Sequence, residues 1–310
     1  MSNDFFATTD SKTPAPIGYS GVIKHLENLK QSDKLPPVNL IEAPKGSGKR
    51  KLCEYLAAKL LGSTANQYSE LNLHPDLLII EADPTSAKQE VTIDRARKIK
   101  DFMQLTAAQA PAKVIIIDAL DNLNLNAANS ILKVLEEPLA GSYFFLVCHD
   151  SSKILDTILS RSHKIKLPKL NQEQFNDILQ KNNIYENQDK LYELFPFQPG
   201  EAINFMESKG LDLLKELENI LETKTGYQEK AFVGKYSFKK ETQNFHNILP
   251  VIHYFIFKKI KTSSTNREVV TKLNDYINEF YSGFDQAMRL NLDRENFVLN
   301  NIFKLKKIYA

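Results

Sequence analysis

The segment Ala43-Pro44-Lys45-Gly46-Ser47-Gly48-Lys49 constrains this chain more than any other feature. Before it, the apolar run from Val38 to Ile41 reads as a strand; after it, Leu52, Leu56, Leu60 and Leu61 recur at helical spacing. A glycine loop between a strand and a helix aims backbone N–H groups and the positive end of the helix dipole at an anion, with Lys49 as a point charge for phosphate oxygens. The competing reading is a tight glycine turn that merely joins strand to helix. Against the full phosphate-binding pattern, Ala43 stands where the first glycine belongs, and Arg50, followed by Lys51, stands where a Ser or Thr hydroxyl would hold Mg²⁺. Arg50 therefore either sets a fixed positive charge in the metal's place or turns its side chain outward.

Two further strands are legible, Leu77 to Glu81 and Val114 to Asp118, the second with four consecutive β-branched residues leading to a carboxylate. A helix is predicted between them from Ile93 to Leu105. Others are predicted from Val22 to Leu29 and from Ala127 to Glu136, where Pro138 closes the pattern. Tyr143 to Cys148 reads as a buried strand and Ile165 to Leu167 as a short one. Strands alternating with helices predict an α/β domain with a parallel, doubly wound sheet. Beyond Pro168 the β signal fades. Gln172 to Lys181, Gln188 to Phe195 and Glu201 to Met206 read as short helices, longer helices follow from Leu211, and Thr223 to Lys240, the least patterned stretch, reads as a loop.

At 310 residues the chain exceeds one ordinary core and predicts two or three domains. Forty Lys and Arg against thirty-eight Asp and Glu give a net charge of +2, so any nucleic-acid-binding surface must be local. The basic run Lys258-Lys259-Ile260-Lys261 reads first as a solvated helix end and second as a DNA contact. Cys53 and Cys148 sit far apart in apolar stretches, which predicts buried thiols and neither a disulfide framework nor a cysteine zinc site. His74 has no partners at metal spacing and reads as a helix-start or packing residue. The start of the chain lacks the basic and apolar regions of a signal peptide, and the longest apolar run, around Val251 to Phe257, is shorter than a membrane span; no membrane role and a cytoplasmic location are expected.

The strand ending at Asp118 delivers its carboxylate to the sheet's carboxyl edge, where open α/β folds bind ligands, and so looks like a Walker B strand. Active AAA+ ATPases carry next a glutamate that polarises the attacking water; here the position holds Ala119, with Asp121 two residues on. The stretch from Asp118 through Asn126-Ala127-Ala128-Asn129 to Leu135-Glu136-Glu137-Pro138 resembles the bacterial clamp-loader ATPases of DNA polymerase III, its core most closely their delta-prime branch. The resemblance continues in order through Gly18 to Leu29, His74-Pro75-Asp76, the sensor 1-like strand Phe144 to His149, and Leu155 to Ser162.

This resemblance implies an AAA+ α/β domain over 1–167, a small helical lid over 168–208 and a helical collar over 209–310, whose last helix, Arg294 to Ile308, would join subunits into a ring. Arg161 is similar to the family's arginine that reaches into a neighbouring subunit's ATP site. At the segment resembling the start of the lid's last helix, Glu201 stands where active members carry a sensor arginine. Gly46, Ser47, Gly48, Lys49 and Asp118 would form a degenerate nucleotide site: the glycines and Lys49 favour occupancy, while Arg50 and Glu201 oppose it. The four-cysteine zinc knuckle common in delta-prime subunits has no counterpart between Gly62 and Asn72, so no metal is expected. The implied function is a non-hydrolysing clamp-loader subunit of a heteropentamer. It needs no cofactor, with weak ATP or ADP binding left open. Its partners would be the gamma/tau ATPase and delta subunits and, through the complex, the sliding clamp and primer-template DNA. A weakly active ATPase of the same superfamily is the alternative.

Overall fold

The computed structural model describes residues 13–64, 67–82, 90–223, 228–240, 242–263, 267–290 and 292–309. The chain divides into two compact units, 1–178 and 179–310. In the first, α1 (Ser20–Gln31) precedes β1 (Val38–Glu42), and the glycine loop leads into α2 (Lys49–Leu61). Then follow α3 (Tyr68–Leu71), β2 (Leu77–Glu81), α4 (Ile93–Gln104), β3 (Lys113–Asp118), α5 (Leu125–Glu136), β4 (Ser142–Cys148), α6 (Asp156–Leu159) and β5 (His163–Lys166). Every strand foreseen from the sequence is present. The Asn124 side chain fixes the start of α5 by accepting the Ala127 N–H at 2.9 Å.

The strands form one sheet in the order β2-β3-β4-β1-β5, and every pairing is parallel. Helices cover both faces, so the strands are apolar on both sides. Val114, Ile116, Phe145 and Val147 face α1 and α2, including Ile23, Leu26, Leu52 and Leu56. Their neighbours Ile115, Ile117, Phe144 and Leu146 face α4, α5 and α6 through Ala96, Ile99, Ile131, Leu135 and Ile158. The period-two side-chain alternation thus feeds two cores from the same strands. Their shared consequence is a rigid carboxyl edge at which β1, β3 and β4 deliver the glycine loop, Asp118 and His149.

On the opposite edge, Asp76 is buried and accepts the N–H groups of Ala108, Gln109 and Ala110 at 2.7, 2.8 and 2.9 Å. The segment entering β2 is thereby tied to the loop entering β3. His74 is half-buried, and its Nδ1 accepts the Asp76 N–H at 3.1 Å.

α7 (Gln172–Lys181) runs across the boundary between the units, and the second unit contains α8 (Gln188–Leu194), α9 (Pro199–Glu207), α10 (Gly210–Glu222), α11 (Gln228–Tyr236), α12 (Thr242–Thr262), α13 (Arg267–Arg289) and α14 (Arg294–Tyr309). Its core is built on Leu213, Leu217, Phe232, Phe245, Phe255, Phe280 and Ile302, with the Phe245 and Phe284 rings stacked 4.7 Å apart.

The expected loop from Thr223 to Lys240 is corrected here: α11 lies within it. Glu229, Phe232, Val233 and Tyr236 are its buried positions, at the i, i+3, i+4, i+7 spacing of one helical face. One of the four is a carboxylate and Gly234 interrupts the run, which hides the pattern in the sequence. The Glu229 charge is met inside the unit by Lys306 of α14 at 2.6 Å. Lys258 pairs with Glu218 at 2.9 Å and Lys261 with Glu193 at 3.9 Å, the geometry of a solvated helix end.

Candidate nucleotide site and an exposed arginine

Gly46 and Gly48 adopt φ of 75° and 92°, a left-handed backbone that glycine reaches without strain, and Gly48 caps the start of α2. The Ser47 N–H donates to the Pro44 carbonyl at 3.3 Å, and the Tyr19 hydroxyl donates to the Ser47 carbonyl at 2.6 Å. Lys49 is buried and turns back into the loop, its Nζ donating to the Pro44 carbonyl at 2.9 Å. Burial pushes the ammonium pKa down to about 8, against the pull of the nearby Asp118 and Asp121 carboxylates.

Of the two placements open to Arg50, the inward one is adopted. Its Nε donates to Glu54 at 2.8 Å, and its Nη1 donates to Asp118 at 2.8 Å and to Glu81 at 3.3 Å. One guanidinium thus joins α2 to the ends of β2 and β3. Burial opposes its charge, but Glu54 and Asp118 outweigh that effect and raise its pKa. For Glu54 the balance is reversed: burial dominates and raises the carboxyl pKa despite Arg50.

Beyond Asp118, Ala119 is buried and offers no titratable group. Asp121 is turned to another task, accepting the His149 backbone N–H at 2.9 Å where β4 ends. The His149 imidazole has its pKa lowered by burial first and by the Lys49 charge second, so the neutral form is favoured beside the loop.

The group does not fit a magnesium-nucleotide. The carboxylate that would face the cation accepts from Arg50, the hydroxyl ligand is missing, and Lys49 is engaged by a loop carbonyl. The backbone of the loop keeps its two left-handed glycines ahead of α2. Among the described residues no cluster of His, Cys, Asp and Glu is arranged to hold a metal ion. Cys53 and Cys148 are buried free thiols, and burial pushes the Cys148 pKa up to about 12.

Arg161 belongs to a separate cluster. It follows α6, with its Nη1 donating to the Thr157 carbonyl at 2.8 Å and its Nη2 donating to Glu136 at 2.6 Å. Its side chain keeps 32% of its surface exposed. Glu201 lies in the first turn of α9, in the second unit. Sequence reasoning overlooked Tyr19, Glu54, Glu81 and Glu136 as parts of these clusters. Only Glu54, one helical turn after Arg50, left a local signal.

A five-stranded parallel sheet with this strand order, a glycine loop after β1, a carboxylate at the end of β3 and a helical second unit define an AAA+-type α/β protein. The family described as DNA polymerase III, delta subunit, matches residues 18–171. The chain belongs to this family, in its delta-prime branch. It is 35% identical over 133 residues to DNA polymerase III subunit delta′ of Pseudomonas aeruginosa, a match covering 39% of this chain and 40% of that protein. It is 27% identical over 235 residues to the Bacillus subtilis subunit delta′, covering 63% and 70%. In fold it is similar to the DNA polymerase III gamma subunit-related protein of Thermotoga maritima, with a TM-score of 0.53, 19% identity and coverage of 92% and 99% of the two chains.

Proposed function

We propose that this chain is a non-hydrolysing subunit of the bacterial DNA polymerase III clamp loader, in which it completes the ring and lends Arg161 to the ATP site of a neighbouring gamma/tau-type ATPase subunit. The observation that carries the first half is the Arg50 to Asp118 ion pair: a guanidinium fills the place beside the carboxylate where a catalytic cation would act. Ala119 in place of a general base and the commitment of Asp121 to the His149 N–H support the same reading and argue against a weakly active ATPase. ATP or ADP at the loop is weak and is not required.

The second half is supported by family membership and by the exposure of Arg161. A delocalised, permanently charged fork suits a role in trans on a transferring phosphoryl group. Residues 168–208 would serve as lid and 209–310 as collar. The delta subunit, the sliding clamp and primer-template DNA are the further partners, reached through the complex in the cytoplasm. Because this subunit does not cycle, it would give the moving ATPase subunits a fixed end to work against.

Two assays test this. The purified chain with DNA should release phosphate no faster than its Lys49→Ala variant. A reconstituted clamp loader carrying Arg161→Ala should assemble, by mass, yet lose roughly tenfold or more of its DNA- and clamp-stimulated hydrolysis. Unchanged hydrolysis would overturn the trans role, and failure of the wild-type chain to join the complex would overturn the assignment to it.

A further inference from the structure

The Arg161 side chain is held from two elements at once. Glu136, the last residue of α5, accepts from Nη2 at 2.6 Å, and the Thr157 carbonyl in α6 accepts from Nη1 at 2.8 Å. A guanidinium has five N–H donors, so this hold leaves three for another acceptor. Glu136 keeps 54% of its side chain exposed, so water screens its charge and it does not cancel the guanidinium toward a polyphosphate. An isolated exposed ion pair adds little to folding stability. Its effect here is to order a long, flexible side chain on the surface before any partner arrives, so that less rotamer entropy is lost when an anion docks.

We infer that Glu136 is a positioning residue for Arg161, fixing the guanidinium fork against α6 so that its remaining N–H groups are offered to the neighbouring subunit's nucleotide. This inference rests on the reading of Arg161 as a trans-acting arginine. It assigns a role to the first glutamate of the Leu135-Glu136-Glu137-Pro138 segment that neither the glycine loop nor the ion pair of Arg50 involves.

The test compares four reconstituted complexes, carrying Glu136→Ala, Glu136→Gln, Arg161→Ala or the double Glu136→Ala, Arg161→Ala, by stimulated ATP hydrolysis and by thermal unfolding of the isolated chain. Glu136→Ala should leave the unfolding temperature unchanged and lower kcat roughly threefold to tenfold with the KM for ATP unchanged, as for contacts realised in the transition state. Glu136→Gln, whose amide oxygen still accepts from Nη2, should keep most of the activity. The double variant should fall no further than Arg161→Ala alone, because the two residues act as one unit. Wild-type kinetics in Glu136→Ala, a loss in the double variant equal to the product of the single losses, or a Gln variant as impaired as the Ala variant would each overturn the role of Glu136. Unchanged hydrolysis in Arg161→Ala would instead bring down the finger reading itself.

Discussion

The Arg50 guanidinium donates to the Asp118 carboxylate at 2.8 Å, binding the first turn of α2 to the end of β3 across 68 residues of sequence. Their side chains are 24% and 23% exposed, a partly desolvated pair that Arg50 extends to the buried Glu54 and the more exposed Glu81.

Arg50→Thr would supply the missing hydroxyl but leave Glu54 and Asp118 facing each other without their cation. An uncompensated, partly buried charge cluster should lower stability by about 1–3 kcal/mol. Urea unfolding at neutral pH checks this; an unchanged midpoint would show that the guanidinium is a bystander. Raising the salt concentration should recover little of the loss, because the site is shielded from screening.

Asp76 offers a separate test. Burial raises its carboxyl pKa, but the N–H donors of Ala108, Gln109 and Ala110 lower it by more, and the net shift is downward. A carboxyl held below its unfolded value stabilises the fold above the unfolded pKa of about 3.9 and loses that contribution as pH falls through the folded value. Asp76→Asn should therefore cost about 1–3 kcal/mol at neutral pH. The gap to wild type should narrow below about pH 4 in denaturant titrations at stepped pH.

Gly18 sits at φ 88°, and a Cβ there would come within 2.1 Å of the Leu170 side chain. Gly18→Ala adds left-handed strain to a clash that Leu170 can relieve only by moving. The expected cost is about 1–3 kcal/mol, read as a lowered thermal midpoint.

Phe232 is fully buried in α11, the helix that sequence patterning missed. Phe232→Ala should destabilise the protein by about 3–5 kcal/mol, whereas a loop residue at this position would tolerate the change with little effect. Denaturation monitored by circular dichroism separates the two outcomes.

The strands and most helices were legible because their signals are local: four β-branched residues before Asp118, leucines at helical spacing after the glycine loop, and a proline closing α5. The loop residues Gly46, Ser47, Gly48 and Lys49 fell where the pattern placed them for the same reason, since backbone conformation and helix start are set by adjacent residues. The departures at Arg50 and Ala119 were equally plain, as each is a single residue read against a fixed spacing.

What the chain order left open was decided by the sheet. The order β2-β3-β4-β1-β5 sets the ends of β2 and β3 beside α2, and only then do Glu81, 31 residues away, and Asp118, 68 residues away, become partners of Arg50 and draw it inward. Packing α6 beside α5 likewise gave Arg161 its carboxylate in Glu136. In α11, an internal ion pair let a glutamate occupy a core position that periodicity reserves for apolar residues. Sequence by itself determined which elements form, because periodicity and turn chemistry act over a few residues. Tertiary structure decided which charges meet, because an ion pair's energy depends on distance and burial, and neither exists until the strands are in order.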